Sequence, residues 1–286
     1  MQLDRFELAD IHHPSALARK LHGLLGPLTS AVPILDIARA LDIADVRLDR
    51  FDGFEGMLLT DRVRSAGCIL ANISKGQRRA RFTVAHELGH FLMERHQLSD
   101  TAGFRCATGD MRETREGRRE QRQESQANRF AIELLAPAYL MASRLSDEPD
   151  LRDAQRLRDH LDVSLEACLR RMIECRSEAL AAVWSHEGRV RYFVRGAAFP
   201  YVSCRRGDPV PTMSAACRAI ARGAVGFTTF REAHAFAWTG RSDLDLHEQT
   251  RIANNGHAVT LLWAEMPDAE DDDDGGLAEL GMPGFR

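Results

Sequence analysis

Five consecutive residues, His86-Glu87-Leu88-Gly89-His90, constrain this chain more than any other stretch. The surrounding pattern predicts a helix over 78–96. On such a helix residues four apart are separated by about 400°, so both histidines project from one face and one cation can take both imidazoles. Glu87 is turned by about 100° from His86, close enough to polarise a metal-bound water without being a ligand itself. Two histidines on an ordinary surface helix would not need an apolar setting. Here Phe82 and Val84 precede the motif and Phe91 and Leu92 follow it, which seats the helix against a core.

A catalytic site of this kind takes three protein ligands and leaves one position to water, so a third ligand is required. His96 is one candidate, ten residues after His86. Proteases with that spacing have a glycine where Met93 stands here, and on a continued helix His96 lies about 240° around from His90. Glu124 is the stronger candidate. It lies on a second predicted helix, 116–136, whose small residues Ala127 and Ala131 allow close approach to the first. Asn128 follows four residues later on nearly the same face, placed to orient a ligating histidine through its side-chain oxygen. Glu133 lies about 180° from Glu124 and should face elsewhere. Tyr139, just beyond this helix, is conceivable as an oxyanion-stabilising group.

The remainder reads as an α+β protein. Helical spacing is found over 14–25 and 33–41, and short strands over 46–48, 56–60 and 67–72. The polar stretch 98–115 suggests an exposed loop, and its basic residues are interleaved with acids, as in a solvated face. Two helical patterns over 151–172, joined at Asp162-Val163-Ser164, resemble a helix-turn-helix, a unit that packs cores as readily as it reads DNA. Strand-like runs at 180–184, 190–194 and 259–264 surround a helical segment at 214–222. That is enough for a separate small α+β domain.

Charge adds little to this picture. The 286 residues carry a formal net charge of -4, but 267–286 alone hold seven acids and one base, so the body is nearly neutral and gives no global case for nucleic-acid binding. The tail reads as disordered. Six cysteines show no C-x-x-C pair. Cys168 and Cys175, seven apart, fit one buried helix face better than a metal site. No apolar stretch approaches the roughly 20 residues needed to cross a bilayer, and the N-terminus lacks an export pattern, so a cytoplasmic protein without a membrane span is expected.

The run Arg81-Phe82-Thr83-Val84-Ala85-His86-Glu87-Leu88-Gly89-His90, followed by Glu124-x-x-Ala127-Asn128-x-Phe130-Ala131-x-x-Leu134-Leu135-x-Pro137, resembles the ImmA/IrrE family of zinc metallopeptidases. The resemblance covers about residues 30 to 137 well, and much more weakly extends to a C-terminal GAF-like sensor. It implies a zincin-like, gluzincin-type peptidase domain over 1–137, a helix-turn-helix-like segment over 138–176, a GAF-like sensor or partner domain over 177–266 and the acidic tail over 267–286. It implies His86, His90 and Glu124 as ligands of zinc, with manganese an alternative, and Glu87 as general base. It also implies a protein substrate: a DNA-binding repressor of the XRE type, whose cleavage releases genes in a stress or mobile-element response. Many relatives carry their own N-terminal XRE helix-turn-helix. This chain has no room for one ahead of its peptidase domain, which favours a separate repressor as partner and leaves direct DNA binding in doubt. Two other readings stay open: a ligand-sensing transcription regulator with a structural metal, and a peptidase toxin of a toxin-antitoxin or phage-defence pair.

Overall fold

The computed structural model describes residues 3–97, 103–106 and 119–265, and the chain divides into two compact units, Met1–Arg176 and Ser177–Arg286. The acidic run 267–286 and most of the polar stretch 98–115 lie outside the described residues. Among the described residues no helix is long and apolar enough to cross a membrane.

The first unit is mixed α and β. Helix α1 (Pro14–Leu25) starts on a proline, whose missing N–H costs nothing in a first turn, and buries Leu17, Ala18 and Leu21. Helix α2 (Ile34–Ala40) leads into β1 (Ile43–Asp49), β2 (Gly56–Thr60) and β3 (Gly67–Asn72). A fourth strand, β4 (Gly103–Cys106), lies within the stretch whose polarity suggested a loop. Its backbone pairs with β2, Phe104 opposite Leu58. The sheet order is β1-β3-β2-β4, with β1 parallel to β3 and β2 antiparallel to both its neighbours.

Helix α3 (Gln77–Leu92) packs on β2 and β3, and helix α4 (Arg119–Leu135) packs on α3. Every residue of α3 from Thr83 to Leu92 is buried, the pattern of a helix with neighbours on all sides. Gly89 makes the helix pair possible. A methyl group there would sit 2.8 Å from Phe130 Cδ1 and 3.5 Å from the Cα of Ala127, so any side chain would push α4 away. Helix α4 stops before Pro137, as proline requires.

Helix α3 also ends earlier than its sequence pattern suggested, at Leu92 rather than 96. Buried Arg64 reaches its C-terminus and donates to the carbonyls of His90 (2.9 Å), Phe91 (3.1 Å), Met93 (2.8 Å) and His96. One guanidinium therefore satisfies carbonyls that the end of a helix leaves without partners. Its positive charge also suits the negative end of the helix dipole.

Helices α5 (Ala138–Ala142), α6 (Leu151–Leu161) and α7 (Leu165–Cys175) complete the first unit. Asp162 takes a left-handed conformation (φ 53°) to end α6, and Ser164 caps α7 by accepting from the N–H of Ala167 at 3.1 Å. Cys168 is buried, and burial pushes its thiol up to about 12. Cys175 does not share the buried face. It falls in the last turn of α7 and is exposed.

The second unit is built on an antiparallel sheet. Its elements are β5 (Ala179–His186), β6 (Arg189–Arg195), α8 (Ala215–Ala221), β7 (Gly226–Phe227), β8 (Arg231–Ala233), α9 (Ala235–Thr239), β9 (Asp245–Ile252) and β10 (His257–Glu265). The order is β6-β5-β10-β9-β7, with β8 also on β9, so the first and last strands lie side by side at the centre. Alternate residues Ala179, Ala181 and Val183 of β5 and Leu262 and Ala264 of β10 pack with Trp238, Leu246 and Phe199 in the core. Glu248 is buried there. It accepts from Trp238 Nε1 at 3.0 Å and from the N–H of Ala215, and burial raises its pKa.

Candidate metal centre

Helix α3 supplies His86 and His90 from one face, and both are fully buried. Their Nε2 atoms stand 3.1 Å apart. Across the helix pair, Glu124 in the second turn of α4 aims its carboxylate between them. One oxygen lies 3.2 Å from His86 Nε2 and the other 3.2 Å from His90 Nε2. The three donors lie within 4.8 Å of one another and could hold a metal ion.

The donor chemistry fits a cation. Asn128, one turn beyond Glu124, places Oδ1 3.1 Å from His86 Nδ1. An amide oxygen only accepts, so His86 carries its proton on Nδ1 and turns the lone pair of Nε2 inward. Two imidazole nitrogens and a carboxylate facing one another call for positive charge between them, and buried groups that converge in this way are paired or coordinate metals. Burial holds His90 down to about 4. Burial alone would raise Glu124, but its contacts with His86 and His90 outweigh that and bring it to about 2.

His96 lies outside this donor set. Beyond Leu92 the chain turns back and buries His96 against the outer edge of His90, with the two Nδ1 atoms 3.0 Å apart. Desolvation and the adjacent His90 bring His96 down to about 3. Glu133 faces away from the centre and pairs with Arg171 at 2.5 Å and Arg129 at 2.6 Å. The Tyr139 hydroxyl is also elsewhere, 3.3 Å from His22 Nδ1 and accepting from the N–H of Leu28.

Glu87 is fully buried, and both carboxylate oxygens are shielded from solvent. Its Oε1 lies so near the Cα of Gly56 that a methyl group at Gly56 would overlap it and Thr83 Cγ2. Strand β2 thus carries glycine where α3 presents its carboxylate, a requirement invisible in the H-E-x-x-H motif itself. Gly56→Ala is expected to displace Glu87 and to destabilise the fold by about 1–3 kcal/mol, the usual cost of overpacking. Urea midpoints together with hydrolysis rates check this. An alanine variant matching the parent in both would show that the contact yields freely.

Acid sensitivity follows from the buried histidines. Above their ordinary pKa of 6.5, folded and unfolded chains both keep His90 and His96 neutral. As pH falls below 6.5 the unfolded chain takes up protons that the fold refuses until about 4 for His90 and about 3 for His96. Stability of the metal-free protein is therefore expected to drop through this window, by at most about 1.4 kcal/mol per pH unit for each histidine. Between 4.5 and about 2, Glu124 pulls in the same direction. A lower urea midpoint near pH 5 than near pH 7 is the expected result, and equal midpoints would contradict it.

A pair of packed helices that converges two histidines and a carboxylate, with a glutamate directly after the first histidine, is the framework of a metallopeptidase. Residues 37–172 match the family model of the IrrE N-terminal-like domain, the M78 peptidases, and this match supports a metallopeptidase of the ImmA/IrrE type. No curated protein matches the chain.

Proposed function

We propose that the chain is a zinc-dependent endopeptidase of zincin-like fold, acting in the cytoplasm on a DNA-binding repressor of the XRE type and so releasing genes in a stress or mobile-element response. The observation that carries the reading is the convergence of His86, His90 and Glu124 beside a fully buried Glu87. Neutral nitrogen and carboxylate donors suit zinc, with manganese an alternative. A divalent ion held there supplies Lewis acidity, lowering the pKa of a water toward neutrality and polarising a peptide carbonyl.

The residues divide the remaining work. Asn128 fixes the tautomer of His86. Glu87 takes the proton from water as the peptide carbonyl is attacked and passes it to the leaving nitrogen. Closure of the site by β2 and α4 keeps that proton exchange away from bulk solvent. The second unit, as a GAF-like domain, receives the signal or the partner.

A transcription regulator with a structural metal finds less support. A recognition helix at 165–175 would offer Arg170 and Arg171, but Arg171 is buried and donates to the Ala136 carbonyl and to Glu133. Incubated with a DNA-binding repressor of the XRE type, the metal-loaded protein is expected to yield a discrete cut that a chelator abolishes. A repressor left whole, under conditions in which the metal is bound, would overturn the choice of substrate.

A further inference from the structure

We infer that His96 is a positioning residue: through a relay that ends on Gln126 it fixes the tautomer of His90, so that the Nε2 lone pair of His90 points at the metal site. The inference deepens the metal-site reading, but its first observable is present in the metal-free protein.

Donor and acceptor accounting leads to it. His96 Nε2 lies 3.1 Å from Gln126 Oε1, and an amide oxygen only accepts. His96 therefore carries a proton on Nε2, and a neutral imidazole then has a bare lone pair on Nδ1. That atom is 3.0 Å from His90 Nδ1, which must be the donor between the two. With its proton on Nδ1, His90 presents a bare Nε2, the atom 3.2 Å from Glu124 and 3.1 Å from His86 Nε2. Glu124, whose Oε1 is 3.2 Å from His90 Nε2, would accept from the reverse tautomer, but that tautomer sets two Nδ1 lone pairs against each other and breaks the relay to Gln126.

The backbone is arranged to make this contact. Had α3 continued, His96 would have pointed about 240° away from His90. Instead Met93 leaves the helix with ψ at 85°, the N–H of His96 donates to the Met93 carbonyl at 2.9 Å, and Arg64 holds the His96 carbonyl. The ring is thereby buried on His90, the centroids 4.9 Å apart. Helix α4 ends both relays: Asn128 receives the proton of His86 and Gln126 that of His96, while Glu124 enters the site from the same helix. One rigid element sets the carboxylate and both histidine tautomers.

The test uses the full chain labelled with 15N-histidine, and long-range 1H–15N spectra of the metal-free protein near neutral pH. His90 is expected as the Nδ1–H tautomer in the parent and as the Nε2–H form or a mixture in His96→Leu. Zinc affinity, measured against a chromogenic chelator, is expected to fall about 10–100-fold in His96→Leu, the usual cost of losing such a partner, and to return within about threefold of the parent in His96→Asn, whose amide oxygen can accept from His90. Should His96→Leu fail to fold by circular dichroism, Gln126→Leu, which frees only the end of the relay, is expected to release the His90 tautomer in the same way. A parent with His90 in the Nε2–H form, or a folded His96→Leu protein with parent-like tautomer and zinc affinity, overturns the inference. A parent that takes up no zinc but shows the Nδ1–H tautomer, lost in His96→Leu, sinks the metal reading and leaves the positioning role standing.

Discussion

Glu87→Gln is expected to lower peptide hydrolysis by about 10²–10⁴-fold, the span attributed to a positioned general base, while metal content stays at the parent level. The substitution is chosen because it is nearly isosteric. Glutamine fits the space between Gly56 and Thr83 that the carboxylate fills, so packing is retained while the proton acceptor is lost. Glu87 is not in the converging donor set, which is why binding and turnover should separate at this position. Metal content of the purified variant and cleavage rates at saturating substrate measure the two properties independently. Full activity in a metal-loaded Gln variant would remove Glu87 from the mechanism. Joint loss of metal and activity would mean that Glu87 shapes the site rather than working in it.

The helix pair was legible because its pattern is dense. Alternation of apolar and polar positions at helical spacing predicts α3 and α4, and four-residue spacing then dictates that His86 and His90 share a face, as Glu124 nearly does with Asn128. Strands β2 and β3 were equally plain, their residues running apolar between glycine-containing turns. What escaped the sequence depends on partners distant along the chain. The early end of α3 is set by Arg64, about thirty residues upstream, and no local signal announces it. With the helix extended to 96, His96 could be weighed only as a ligand on the wrong side, whereas the turn folds it onto the back of His90. Strand β4 hid in a polar stretch because it earns its place from backbone pairing with β2. Strand β9, Asp245–Ile252, mixes charged and apolar residues and buries Glu248 through the Trp238 indole and an amide of α8, partners that cannot be read from its own pattern. The need for glycine at 56 and 89 likewise came from neighbours across the fold: Glu87 for one, Phe130 for the other.

Glu124→Ala is expected to weaken metal binding by more than the 10–100-fold that loss of an outlying partner typically causes, and to abolish hydrolysis with it. The carboxylate brings the only formal negative charge among the three converging donors, since His86 and His90 offer neutral nitrogens. Its removal leaves two buried imidazoles 3.1 Å apart without the charged donor that converges on them. The fold itself should survive, because Ala127, Phe130 and Ala131 carry the packing of α4 and are fully buried, while the Glu124 side chain remains 16% exposed. Metal analysis of the purified variant beside His96→Ala distinguishes the two candidates for the third ligand. The geometry requires the larger loss at Glu124, where an oxygen stands 3.2 Å from each histidine, and a smaller one at His96, which touches only the outer nitrogen of His90. If Glu124→Ala holds metal as tightly as the parent and His96→Ala does not, the third ligand is His96, and the turn beyond Leu92 must swing to bring it into the site.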